Sequence, residues 1–230
     1  VTSPAGWEIR ATSVQVADLV ALSADDWPGR LVATAYLQGC PWRCTYCHGG
    51  ALLDPTLPGA VPWSHVTDLL RRRRGLLDGL VLTGGEPTRQ PGVVAAAREV
   101  RALGLLVAVH TAGAYPARLP DLLPHVDRVV LDVKAPAYLY GAITRAGAGA
   151  AAADKAFASL RLVLDSGVDL QVRTTVDPAV LAPDDVAELV AVLADLGVRD
   201  HVLRDARPGP VVDPYAAALA RVPRARLHRG

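Results

Sequence analysis

Apolar positions along this chain fall into two alternating rhythms. Short, nearly continuous runs rich in Val and Leu occupy Leu31–Leu37, Gly79–Thr83, Leu105–His110, Arg128–Val133, Asp169–Val176 and His201–Arg204. Their length and the lack of a polar face predict strands buried on both sides. Between them, apolar residues are spaced for one face of a helix at Ser64–Arg74, Pro91–Leu103, Pro116–Leu123, Ala150–Ser166 and Pro183–Leu196. Ser64 is expected to cap the first helix and Gly75 to end it. Strand–helix alternation predicts a parallel sheet covered by helices. Six strands fall short of the eight of a closed barrel. The expected fold class is therefore α/β, an open partial (β/α)6 barrel.

The remaining segments read as connections. Residues 1–30 are polar to mixed and end in a Pro28-Gly29 turn. His48–Trp63, with three prolines and three glycines, reads as an extended loop, and Lys134–Gly149 as a second one. No linker composition divides the chain, so one domain over 1–230 is expected, with a core at about 15–208 and a tail at 209–230.

Charge narrows the range of partners. The net charge is +1, from 24 basic and 23 acidic residues, so no global field marks a nucleic acid or an anionic membrane. Arg71-Arg72-Arg73-Arg74 could be read as a nucleic-acid patch, but basic residues in a last helical turn before Gly are an ordinary helix end. No run of about 18 apolar residues predicts a membrane span, and the start lacks a signal-peptide profile. A cytoplasmic location is expected. Only Lys134 and Lys155 are lysines, so a lysine beside a strand stands out.

All three cysteines, Cys40, Cys44 and Cys47, lie within eight residues, directly after the first apolar run. Clustered thiols of odd number fit metal or redox chemistry better than a disulfide framework. Three thiolates from one loop can hold three irons of a cubane cluster and leave the fourth open. The rival is structural zinc on Cys40, Cys44, Cys47 and His48, although zinc ligands usually come as two separated pairs.

In parallel α/β folds, ligand sites gather at the C-terminal ends of strands. At those ends stand the cysteines, then Gly84, Gly85 and Glu86, then His110 and Thr111, Asp132 and Lys134, and Arg173. The two glycines leave backbone open to close approach, and Glu86 beside them suits an ammonium group. Asp132 and Lys134 are two apart and share a face, either lining the barrel mouth or forming a surface ion pair. Arg173 would need an anion if buried. His110 is either a satisfied strand-end histidine or a direct contact, and Tyr46 is a loop aromatic beside Cys47.

The C-x3-C-x2-C spacing resembles the radical S-adenosylmethionine (radical SAM) enzymes. Further motifs follow in order: Asp26-Trp27-Pro28-Gly29, Leu37-Gln38-Gly39-Cys40, Cys47-His48, Gly84-Gly85-Glu86-Pro87-Thr88, Asp132-Val133-Lys134-Ala135-Pro136 and Arg173-Thr174-Thr175-Val176. Together they resemble the activating proteins of anaerobic ribonucleoside-triphosphate reductase, a group similar to pyruvate formate-lyase activating enzyme. The resemblance implies a [4Fe–4S] cluster on Cys40, Cys44 and Cys47, with S-adenosylmethionine chelated at the open iron. It implies reductive cleavage of the cofactor to a 5′-deoxyadenosyl radical, which takes hydrogen from a glycine of the partner reductase. Reduced flavodoxin or ferredoxin would supply the electron.

By the same resemblance, Tyr46 lies against the adenine, Gly84-Gly85-Glu86 binds the methionine amino group, and Lys134 and Arg173 face the carboxylate or ribose. Two positions depart from that pattern. Related activases carry Asp-Thr-Asn-Gly where this chain has His110-Thr111-Ala112-Gly113, so an expected cation site loses its aspartate. The usual Cys-His-Asn reads Cys47-His48-Gly49. Two alternatives stand beside the activase: a radical SAM enzyme acting on a small molecule such as a deazapurine precursor, and a non-catalytic zinc-stabilised module.

Overall fold

A computed structural model describes residues 10–206 together with 226–227. Its eight strands lie in one sheet in the order of the chain: β1 Val16–Ser23, β2 Val32–Leu37, β3 Gly79–Gly84, β4 Leu106–Thr111, β5 Arg128–Asp132, β6 Asp169–Val176, β7 His201–Asp205 and β8 Arg226–Leu227. β2 to β8 are parallel to their neighbours, and β1 is antiparallel to β2. The six predicted strands are β2 to β7, and among the described residues no pairing closes the sheet. The tail expected at 209–230 lies outside the described residues apart from β8.

Among the described residues, six α-helices accompany the strands: α1 Trp63–Arg72, α2 Val93–Ala102, α3 Leu119–Leu122, α4 Tyr140–Thr144, α5 Gly149–Ser166 and α6 Pro183–Asp195. α1 begins one residue before the expected cap, with Pro62 in the capping position. Trp63 is buried there and its indole N–H donates to Glu99 at 2.8 Å. The arginine run behaves as a helix end. Arg71 pairs with Asp68 at 3.0 Å, and Arg73 and Arg74 donate to the carbonyls of Ala21 and Leu103.

Strand alternation separates the sheet into two chemistries. Ala33, Ala35, Leu82, Val109, Leu131, Val172 and Leu203 face the helices and join Leu70, Val100, Leu160 and Leu189 in the main core. Each of the valines and leucines, taken from water, contributes about 1.5–3 kcal/mol. The opposite face is apolar toward the N-terminal ends of β2, β3 and β4. There Trp27 packs on Val32, Val81, Ala108 and Leu106 as a floor. Above this floor the same face carries Tyr36, Thr83, His110, Asp132, Arg173 and Arg204, placed there by the two-residue period.

Two predicted irregular stretches differ from expectation. The segment before residue 30 contains β1, an edge strand that is largely half-buried or exposed and so lacks a continuous apolar run. The loop after Lys134 contains α4, a helix of barely more than one turn whose Tyr140 and Ile143 are fully buried.

Candidate functional site

The cysteine loop leaves β2 through Gly39, whose φ of +91° is a left-handed conformation that glycine adopts without a Cβ clash. Backbone bonds from Gly39 N to Leu52 O and from Cys40 N to Leu53 O tie its start to the long following loop. Its middle is held by α4. The N–H groups of Arg43 and Thr45 donate to the carbonyls of Thr144 and Ile143 at the end of that helix, which otherwise lack helical partners. Trp42 is buried edge-on against Tyr140, with ring centroids 5.9 Å apart. Thr45 donates its hydroxyl to Asp177, just past β6, at 2.5 Å. The segment between Cys40 and Cys47 is therefore anchored at three points.

Cys40 and Cys44 are half-buried and Cys47 is exposed; all three are free thiols. Burial pushes the Cys40 thiol up to about 12 and raises that of Cys44, against the opposing pull of the Lys134 ammonium. A soft metal centre would supply the positive charge that deprotonates them. Among the described residues, no group of three or more His, Cys, Asp and Glu side chains is gathered closely enough to hold one metal ion. The four-ligand zinc cage with His48 is thus not assembled. A cubane cluster spreads its thiolates over three irons and does not require them around one point. Three thiols on one anchored loop at the strand ends are a donor set that fits such a cluster.

The Gly84-Gly85-Glu86 turn lies directly beside this loop. The N–H groups of Gly85 and Glu86 donate to the carbonyls of Leu37 and Gly39 at 2.8 and 2.9 Å. A Cβ on Gly84 would meet Leu37 N at 2.3 Å, and one on Gly85 would meet Gly39 O at 2.5 Å. The bare backbone expected to admit a ligand instead admits the start of the cysteine loop, locking the two segments together.

Glu86 is fully buried. One carboxylate oxygen accepts from Thr88 N (2.9 Å), Thr88 Oγ1 (2.6 Å) and Thr111 Oγ1 (2.5 Å), and the other from Ala112 N (2.8 Å). The side chain joins the ends of β3 and β4. Thr111, expected in a turn, closes β4 and is part of this brace.

Lys134 is only 6% exposed. Its Nζ lies 3.7 Å from Asp132 Oδ2, 3.5 Å from the Tyr46 hydroxyl and 5.6 Å from the centre of the Tyr46 ring. Burial would push this ammonium down, but the Asp132 carboxylate holds it well above the ordinary lysine value, joined by Tyr46 and Cys44 where they ionise. Its backbone N–H donates to the buried Tyr140 hydroxyl at 3.2 Å, so α4 fixes Lys134 as well as the cysteine loop. Burial also pushes the Tyr46 phenol up to about 12, keeping it neutral. The Asp132–Lys134 pair expected from their spacing is present, and it faces the cysteine loop.

His110 and Arg173 lie on the same sheet face as Asp132, with Arg173 directly opposite it in register. Burial and the Arg173 charge lower His110 to about 4, so its imidazole is neutral. His110 Nε2 is buried and lacks a hydrogen-bond partner. Sequence reasoning did not single out Asp177, Thr45 or Tyr140 as supports of the site. A polar Asp just past the apolar β6 run was the one available signal.

Comparison with known proteins agrees with this geometry. A family profile, the Radical SAM superfamily, matches residues 35–193. A Methanocaldococcus jannaschii protein provisionally named a glycyl-radical enzyme activating enzyme is 26% identical over 197 residues, covering 78% of this chain and 75% of its own. The pyruvate formate-lyase-activating enzyme of Clostridium pasteurianum is 28% identical over 114 residues, 47% of this chain and 48% of its own, so the match spans about half of that enzyme. Among solved structures, QueE from Escherichia coli superposes with a TM-score of 0.60 at 15% identity, covering 94% of both chains.

Proposed function

The chain belongs to the radical SAM superfamily, and from that premise we propose that it activates a glycyl-radical enzyme, with an anaerobic ribonucleoside-triphosphate reductase as partner. Members of the superfamily bind a [4Fe–4S] cluster and S-adenosylmethionine. The observation that carries the activase reading is the likeness, over 78% of this chain, to a relative named for that activity.

When bound, the cluster and S-adenosylmethionine supply reductive cleavage of a sulfonium carbon–sulfur bond and a carbon radical able to take hydrogen from glycine. The residues of this chain hold and orient that chemistry. Cys40, Cys44 and Cys47 would ligate three irons, on a loop fixed by α4 and Asp177. Gly84 and Gly85, packed against the start of the cysteine loop, would offer carbonyl oxygens and not an open face to the methionine amino group, with Glu86 bracing the turn through Thr88 and Thr111. Tyr46 would lie against the adenine, and Lys134 would meet the cofactor carboxylate or ribose with Asp132 as its counter-ion. Reduced flavodoxin or ferredoxin would deliver the electron, and Cys47 is the exposed thiol of the three. No side chain is required as acid or base.

Three clustered free thiols support a reducing, cytoplasmic setting. Among the described residues, no helix is long and apolar enough to cross a membrane. The test is anaerobic incubation with dithionite, S-adenosylmethionine and a candidate reductase. A glycyl radical EPR signal on the reductase supports the proposal. Release of 5′-deoxyadenosine with no radical on any glycyl-radical partner overturns the activase reading and leaves the radical SAM assignment standing.

A further inference from the structure

Lys134 leaves β5 through a peptide whose two polar groups are held by side-chain hydroxyls. The β5–β6 pairing ends with Asp132 opposite Arg173. Just past it, the carbonyl of Val133 accepts from the Thr174 hydroxyl at 2.7 Å, and the N–H of Lys134 donates to the Tyr140 hydroxyl at 3.2 Å. A peptide unit is planar, so bonds at its oxygen and its nitrogen together fix its tilt and the direction in which the Lys134 side chain departs. That side chain ends 3.7 Å from Asp132 and 3.5 Å from the Tyr46 hydroxyl.

Thr174 has its own orienting partner. Its hydroxyl carries one proton, which goes to Val133, so in the 2.9 Å contact with His201 Nε2 the imidazole N–H is the donor. The ring is therefore the tautomer protonated on Nε2, with a bare Nδ1, the buried nitrogen that lacks a partner. Burial lowers His201 to about 4, so the ring is neutral near pH 7. The other tautomer would draw the hydroxyl proton to the ring, release the Val133 carbonyl and leave a buried N–H unpaired. Thr174 is fully buried and His201 is 5% exposed. Thr174 stands two residues from Val172 and His201 two from Leu203, so both point to the helix-facing side of the sheet. Asp132 and Arg173 are on the opposite face.

We propose that Thr174, oriented by His201, is a positioning residue for Lys134: from the helix side of the sheet, the pair sets where the ammonium stands against Tyr46 and Asp132, and thereby the affinity for S-adenosylmethionine. The inference rests on the reading of Lys134 as a cofactor contact, and the test separates the two.

Lys134 and Lys155 are the only lysines, so lysine isotope-labelled at Cε gives two NMR signals in the full-length chain before cluster reconstitution. Exposed Lys155 serves as internal reference, and Lys155→Arg makes the assignment. The Lys134 signal, from an ammonium 5.6 Å from the centre of the Tyr46 ring, should stand apart from that of Lys155. Thr174→Val should move it toward Lys155, and Thr174→Ser, which keeps the hydroxyl, should not. Tyr140→Phe frees the same peptide from its other side and should move the signal as well, so the readout survives if Thr174→Val does not fold.

The reconstituted holoprotein, anaerobic and without reductant, is then titrated with S-adenosylmethionine by equilibrium dialysis. Thr174→Val should weaken binding about three- to tenfold, but by less than about twofold when Lys134→Met is already present. The proposal fails if the Lys134 signal stays in place in both Thr174→Val and Tyr140→Phe. It also fails if Thr174→Val weakens binding equally with and without Lys134, the mark of a merely structural role, or leaves binding unchanged while Lys134→Met weakens it. Unchanged binding in Lys134→Met alone would overturn the premise, the cofactor role of Lys134, whatever the lysine signal shows.

Discussion

Replacing Glu86 with Gln isolates the brace between β3 and β4 without changing side-chain volume. The native carboxylate accepts four hydrogen bonds and has no solvent contact. An amide can satisfy the three donors on one oxygen, but its NH2 group then faces the N–H of Ala112. One charge-assisted bond is lost, at about 1.5–3 kcal/mol, and a buried donor left unpaired adds about 1–3 kcal/mol. The sum is about 2.5–6 kcal/mol, which for a chain of this size lowers Tm by roughly 5–24 °C. Thermal unfolding of the metal-free protein, followed by circular dichroism, measures it. Thr111→Val removes one of the same donors, so the two substitutions should be non-additive by about 1 kcal/mol or more. A Tm within about 2 °C of wild type, or full additivity, would refute the brace and return the Glu86 carboxylate to direct contact with an amine.

Other outcomes follow from the same geometry. Thr45→Val should loosen the cysteine loop from Asp177 and shorten the half-life of the reconstituted cluster in air several-fold, read at about 400 nm, while Asp177→Asn, which keeps an acceptor, should retain most of it. In the metal-free protein, iodoacetamide should modify exposed Cys47 first and Cys40 last, and the Cys40 rate should keep rising with pH toward about 12; equal rates at pH 8 would contradict its burial. His110 and His201 are both lowered to about 4 by burial, so the unfolded chain binds their protons first. Their contribution is present above pH ~6.5 and is lost as pH falls toward 4, about 2 kcal/mol each by pH 5. Urea unfolding at pH 7.5 and 5.0 should show a smaller acid penalty in His201→Gln than in wild type. Lys134→Met, which removes the charge beside Asp132, should weaken S-adenosylmethionine binding at least tenfold with little change in cluster content.

The parallel core was legible because β2 to β5 carry short, largely buried runs rich in Val, Leu and Ala. β1 escaped because an edge strand with one open side mixes Asp18 among its valines and leucines, and only its pairing with β2 makes it a strand. α4 escaped because five residues carry too little periodicity to count, although Tyr140 and Ile143 give it a buried face. The cysteines, Lys134 and Asp132 could be found from spacing and from strand ends. What the Gly84-Gly85 turn packs against could not, since the space beside those glycines is filled by residues more than forty positions earlier. Nor could the saturation of Glu86, which depends on Thr111 arriving from the next strand.

The central claim is that three thiols on one anchored loop carry a cubane cluster. Iron and acid-labile sulfide, counted per chain after anaerobic reconstitution, test it most directly. The account predicts about four of each in wild type, and loss of most of both in Cys44→Ala. About one zinc per chain with no sulfide, unchanged by removing Cys44, would contradict it.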